Sequence, residues 1–210
     1  MSMQTRIAIV GDSNVQADAP TGSVRGHLYP ALVATGYSVA AVGTYTDDRL
    51  PATLRQHDGY NGLDIATARG RLPSLLAAHR PHVLIVWLGT RDLLPVTCTD
   101  VTRAEAPIRM AQFLADVRAL APATKTIVCT APPCDMPTLP MAGQWITAYN
   151  AALAGVVAGA VGDEIAATLC DTHARINPAN GLHDGVHLSD RGAQDASIAL
   201  YQTVTGLLTP

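Results

Sequence analysis

Aromatic side chains are scarce in this 210-residue chain, at 4% of positions with a single Phe, so large rings do not fill its interior. The apolar mass, 48% of the sequence, is mostly Ala, Val, Leu and Ile, which suits small-faced helices packed on a sheet. No run of basic residues occurs and the net charge is −3, which leaves no electrostatic footprint for nucleic acid or an anionic membrane surface. No apolar run reaches the roughly 18 residues needed to span a bilayer. The longest, Ala151 to Val161, is a Gly-broken Ala/Val stretch that reads as core packing. A secretory leader needs a basic region, about 7–15 apolar residues and a small-residue cleavage site. Met1–Arg6 has none of these and runs straight into an apolar strand pattern. The sequence as it stands reads as cytoplasmic; a secreted or virion-associated chain already trimmed of its leader is the other reading.

The four cysteines form no Cys-x-x-Cys pair. Cys129 and Cys170 fall in apolar strand patterns, where a free Cys acts as a small hydrophobe. Cys98 and Cys134 both lie in loops that follow strands, and the spacing leaves a disulfide between them open. The first strand is followed by neither Gly-x-Gly-x-x-Gly nor a P-loop, which argues against a nucleotide-binding domain.

Short β-branched runs alternate with longer helical patterns. The runs predict strands at Ile7–Val10, Ser38–Val42, Val83–Trp87, Thr126–Thr130 and Ala166–Cys170, apolar at nearly every position, as parallel strands covered on both faces must be. Helices are expected at about 24–35, 65–79, 105–120, 143–160 and 190–207, with Pro81 and Pro122 just past two helix ends and Ser189-Asp190 capping the last. No repeat or linker interrupts residues 1–210. The reading is one domain of α/β class: a three-layer α/β/α sandwich on a five-stranded parallel sheet, in the flavodoxin-like order 2-1-3-4-5. In such sheets the site forms at the carboxyl ends of the strands where the order reverses, between strands one and three. The loops there hold Gly11-Asp12-Ser13-Asn14 and Gly89-Thr90-Arg91-Asp92.

Ser13, in the turn after the first strand, is therefore the candidate nucleophile. A serine hydroxyl needs a base to take its proton, and the base needs an orienting partner. His187 is the strongest base among seven histidines. It lies in a polar loop before the last helix, with Asp184 three residues earlier, near enough to hold the imidazole. A loop rich in Asp and His for solubility alone is the plain alternative. A metal site of His183, Asp184 and His187 is disfavoured, because Asp184-Gly185 breaks the helix that would place both rings on one face. The stretch His57-Asp58-Gly59-Tyr60-Asn61-Gly62 puts two glycines before a helix, as a loop presenting N–H groups to an oxyanion would.

Taken in order, these stretches resemble the SGNH, or GDSL-like, hydrolase superfamily over essentially the whole chain. Ile9-Val10-Gly11-Asp12-Ser13 is similar to its strand-Gly-Asp-Ser block, with Asn14 where Leu is usual. Gly59-Tyr60-Asn61-Gly62 is similar to its second block, and its form resembles acetylxylan-esterase-like members. Asp184-Gly185-Val186-His187 is similar to its Asp-x-x-His block, and Tyr149-Asn150-Ala151-Ala152 to a helix segment common in these enzymes. The resemblance implies a catalytic triad of Ser13, His187 and Asp184, with the N–H groups of Ser13 and Gly62 lining an oxyanion hole. The third block departs: where the family has Gly-x-Asn-Asp, this chain has Gly89-Thr90-Arg91-Asp92. Three placements of Arg91 are open: donor to the oxyanion in place of the Asn, binder of an anionic substrate group, or partner of a carboxylate such as Asp92 or Asp64.

The expected function is a serine esterase acting through an acyl-enzyme on small acyl groups, acetyl above all, on carbohydrate. The shortage of aromatics and of an apolar lid argues against long-chain lipids. Asn14, Asn61 and Trp145 are the candidate substrate contacts, and the loop Ala131–Pro137 with Trp145 a candidate pocket wall; half-buried helix packing is the plain alternative for Trp145. No cofactor or metal is implied, and the partner is a small-molecule or carbohydrate ester. The rival is an SGNH-fold module that binds a glycan or ester with little or no hydrolysis, because Arg91 replaces the oxyanion Asn. Oligomeric state is not encoded in any feature above.

Overall fold

Seven strands form one sheet in the computed structural model, which describes residues 4–17, 23–95, 98–162 and 166–208. Of the sequence features above, the segment Met1–Met3 lies outside the described residues. In chain order the elements are β1 (Thr5–Gly11), α1 (Ser13–Gln16), α2 (Val24–Ala34), β2 (Val39–Val42), β3 (Tyr45–Thr46), β4 (Gln56–Gly59), α3 (Ile65–His79) and β5 (Val83–Trp87). There follow α4 (Thr90–Leu93), α5 (Asp100–Ala104), α6 (Ala106–Leu120), β6 (Lys125–Cys129), α7 (Ala142–Gly162), β7 (Ala167–Cys170), α8 (Pro178–Gly181) and α9 (Asp190–Leu207).

The predicted strands are β2, β1, β5, β6 and β7, and they lie side by side in the expected order, all parallel. The strand count and the uniform direction need correction. β3 and β4 form an additional antiparallel hairpin, and β4 runs parallel to β1 where β2 leaves off. β2 pairs with Thr5 to Ala8 and β4 with Val10 and Gly11. Gln56-His57-Asp58-Gly59 carries no apolar or β-branched residue, so periodicity gives no strand signal. Its extended form comes from pairing with the end of β1, a tertiary cause. The hairpin thereby sets the second loop of the site directly beside the end of β1.

Alternation along the inner strands divides the core in two. Ala8, Val10, Leu84, Val86 and Val128 face α3, α6 and α7, meeting Leu72, Phe113 and Leu153. Ile7, Ile9, Val83, Ile85 and Ile127 face α2 and α9, meeting Leu28, Leu32, Ala196 and Leu200. All of these side chains are buried, so both sheet faces exclude water, as a parallel sheet requires. The thiols of Cys98, Cys129, Cys134 and Cys170 are all free, which overturns a Cys98–Cys134 bridge. No helix among the described residues is long and apolar enough to cross a membrane.

Candidate active site

The sheet ends its first strand at Gly11, and the next residue turns the chain. The buried Asp12 carboxyl accepts the N–H of Asn14 at 2.9 Å and so caps α1, leaving Ser13 as its first residue. Burial pushes the Asp12 carboxyl up to about 6, opposed by the Asn14 N–H and the Thr90 hydroxyl. Four residues make a poor helix by themselves, and Arg25 holds this one from behind. Its Nε donates to the Val15 carbonyl and its Nη2 to the Gln16 carbonyl, each at 3.1 Å, while Nη2 also reaches Asp47 at 3.1 Å. Arg25 is completely buried. Burial favours a neutral Asp47, but bonds from Arg49 and the charge of Arg25 prevail and hold its carboxyl at about 2.

The loop that carries the base is closed by an antiparallel bridge between Leu182 and Leu188 and by a bond from the His183 N–H to the His187 carbonyl. Gly185 turns it with φ +86°, and a Cβ there would lie 2.6 Å from the Asp135 carbonyl oxygen, so no larger residue fits without displacement. Asp184 is bound three times within the loop. One carboxylate oxygen accepts the N–H groups of Val186 and His187, at 3.0 and 2.7 Å; the other lies 2.6 Å from His187 Nδ1. Burial works against its charge, but these bonds outweigh it and hold the carboxyl at about 2. A carboxylate at Nδ1 selects the tautomer that donates there and accepts at Nε2. His187 Nε2 lies 3.0 Å from Ser13 Oγ. Ser13, His187 and Asp184 therefore come together as the sequence suggests.

Asn14 does not meet the expectation of a substrate contact. It is buried, and its Oδ1 accepts the Leu188 N–H at 2.9 Å, tying the base-bearing loop to the nucleophile turn. Its position next to Ser13 turns the side chain inward, away from the pocket. The three potential metal-ligand atoms of His183, Asp184 and His187 lie within 4.8 Å of one another. Of these residues, His187 uses both ring nitrogens and Asp184 its carboxylate in the serine-linked chain.

The second loop is anchored at both ends. The Tyr60 N–H donates to the Gly11 carbonyl, and Gln16 Oε1 accepts the Asn61 N–H. Gly62 follows with φ +73°, a conformation that side chains disfavour. The Ile65 N–H at the start of α3 donates to Asp92 Oδ2 at 3.1 Å. Asp92 Oδ1 is held by Arg109 at 3.0 Å. Burial pushes the Asp92 carboxyl up, opposed by the Ile65 N–H and Arg109. The N–H groups of Ser13 and Gly62 have no acceptor among the described residues.

With Asp92 held by Arg109, and Asp64 capping α3 through the Thr67 N–H, the expectation that Arg91 pairs with either acid fails. Arg91 is exposed, and its guanidinium has no partner among the described residues. It lines a pocket of about 300 Å³ together with Ser13, His187, Asn61, Gly62 and Thr90. The apolar part of its lining comes from Leu94, Pro95, Met136, Leu139 and Val186. Trp145 is not in this lining: it packs against the α3/α6/α7 core, and the Arg103 guanidinium stacks 3.6 Å from its ring centre. Arg25 and Arg109 were not legible as site supports, because each acts through a partner distant in sequence. Tyr149 and Asn150 did carry a signal, and both brace strand ends. The Tyr149 hydroxyl donates to the Leu88 carbonyl at 3.1 Å, and Asn150 both accepts from and donates to the Ala131 backbone.

A hydroxyl with an oriented imidazole on one side, beside two unengaged N–H groups in a small pocket, is equipped for attack on an acyl carbon. Sandwich and site together have the arrangement expected of an α/β ester hydrolase. More narrowly, the GDSL-like lipase/acylhydrolase family matches residues 9–194, and the chain belongs to it, as a carboxylic ester hydrolase. Among solved structures, the chain is similar to a family 3 carbohydrate esterase of Clostridium thermocellum, at 22% identity and TM-score 0.82, covering 98% of each chain. It is also similar to a family 3 carbohydrate esterase from Talaromyces cellulolyticus, at 21% identity and TM-score 0.81, covering 97% of this chain and 98% of that one. A catalytic mutant of an acetylxylan esterase from Geobacillus stearothermophilus aligns at 13% identity and TM-score 0.71, over 97% and 96% of the two chains. At these identities the likeness concerns the fold. No curated protein sequence matches the chain.

Proposed function

We propose that the protein is a serine esterase that removes short acyl groups, acetyl above all, from carbohydrate through an acyl-enzyme on Ser13. The observation that carries this reading is the hydrogen-bonded chain Ser13–His187–Asp184 on the floor of the pocket. His187 Nε2 takes the Ser13 proton as Oγ attacks the ester carbonyl, and Asp184 stabilises the imidazolium that results. The N–H groups of Ser13 and Gly62 donate to the oxyanion. Collapse of the tetrahedral intermediate breaks the bond to the alcohol oxygen, which leaves with the proton from His187. Water, activated by the same imidazole, then releases the acid and frees Ser13.

A pocket of about 300 Å³ is at the small end for ligand sites, which favours a short acyl chain. The carbohydrate esterases among the similar folds support a sugar as the alcohol. Arg91 in place of an amide donor favours a second reading, a module that binds such an ester and turns it over slowly or not at all. Hydrolysis of p-nitrophenyl acetate by wild type and Ser13→Ala separates the two. The esterase reading expects a loss of about 10³-fold or more in kcat/KM in the variant. Equal background rates for both proteins exclude it.

A further inference from the structure

The arginines of this chain are mostly committed. Arg25, Arg69 and Arg109 each hold a carboxylate, at 3.1, 2.6 and 3.0 Å. Arg91 differs on every count: exposed, unpartnered among the described residues, and facing the pocket that contains Ser13 Oγ. The acids closest to the site are engaged elsewhere. Asp12 caps α1 and meets Thr90, Asp92 is held by Arg109 and the Ile65 N–H, and Asp184 is held by its own loop and His187. Among the described residues, none of these three carboxylates bonds to the Arg91 guanidinium. Leu94, Pro95, Met136, Leu139 and Val186 make part of the same pocket lining apolar.

A cation in a cleft with low-dielectric, apolar surface on part of its lining attracts and orients an anion. The planar fork of a guanidinium matches a carboxylate with two parallel bonds. Arginine also carries its donors several bonds further from the backbone than an asparagine amide does. From the same Cα its donors can therefore lie beyond the point where an Asn amide would end. We infer that Arg91 is a specificity determinant that binds a carboxylate carried by the alcohol part of the ester. The substrate class is then an acylated acidic sugar, an O-acetylated uronic acid, in preference to a neutral one. This rests on the ester-hydrolase reading of the pocket and adds the charge of the substrate to it.

The test uses two O-acetylated methyl glycosides that differ only at C6, a glucuronate and the corresponding glucoside. Wild type is expected to favour the uronate by about ten- to a hundredfold in kcat/KM, mainly through KM, with the preference shrinking at about 0.5 M salt as screening tightens. Arg91→Gln collapses the ratio towards one, Arg91→Lys keeps part of it, and Arg191→Gln, outside the pocket lining and paired with Asp195, leaves it unchanged. A wild-type ratio near one, or a ratio that Arg91→Gln does not alter, overturns the inference while ester hydrolysis stands. If neither ester is cleaved, the esterase reading fails instead. Calorimetric binding of the same pair to Ser13→Ala then decides the matter: tighter uronate binding that Arg91→Gln abolishes upholds the role of Arg91, and equal binding overturns it.

Discussion

Two arginines flank the nucleophile, and the fold treats them in opposite ways. Arg25 lies behind α1 with no exposed surface, and its Nε and Nη2 are fixed on the Val15 and Gln16 carbonyls and on Asp47. Arg91 lies on the open side of the same serine, exposed and unpartnered among the described residues. The first is part of a buried network that over-determines where Ser13 points. The second is a charge held in reserve for something outside the protein. Buried charge is costly unless it is paired and hydrogen-bonded, so the position of Arg25 can only be structural. An unpaired charge is cheap at a surface, so Arg91 is free to act in recognition.

That contrast can be broken most sharply at Arg25. Arg25→Leu leaves the buried Val15 carbonyl, the part-buried Gln16 carbonyl and Asp47 with missing donors, and is expected to cost about 3 kcal/mol or more in urea unfolding. A smaller effect sharpens the same side of the comparison through pH. His57, in β4 beside this network, is pushed down to about 4, first by burial and then by the charge of Arg25. Its folded value lies below the usual 6.5, so the folded state binds the proton less tightly than the unfolded chain. The stability linked to this group is complete above about pH 6.5 and is lost as pH falls towards 4. His57→Gln should therefore lose less Tm than wild type between those two pH values. Equal losses would remove His57 as the source. The smallest effect belongs to Arg91→Gln, expected within about 0.5 kcal/mol of wild type in the same urea titration. A loss as large as that of Arg25→Leu would erase the distinction between the two arginines.

Much of this architecture could be read directly from residue patterns. β5, α3 and α9 fall at the predicted bounds, because their apolar periodicity and capping residues act locally. The approach of Ser13, Asp184 and His187 across 174 positions was legible because strand-end loops of a doubly wound sheet converge. What stayed hidden depends on partners far away in sequence. The hairpin of β3 and β4 is polar and is held extended by β1 rather than by its own composition. Asn14 looked free to face substrate, yet its amide oxygen is taken by the Leu188 N–H. Between pocket wall and half-buried helix packing, Trp145 takes the second, with Arg103 over its ring. The pairing of Asp92 with Arg109, with Arg91 left unpartnered among the described residues, shows no spacing rule that a sequence could display.

The central claim is that Ser13, activated by His187, is the residue that becomes acylated. Labelling with a fluorophosphonate, followed by peptide mapping, tests it at the atom concerned, since such reagents report an activated serine. The account predicts modification on Ser13 in wild type, none in Ser13→Ala and strongly slowed labelling in His187→Ala. Labelling that maps to another residue, or persists undiminished in Ser13→Ala, would contradict it.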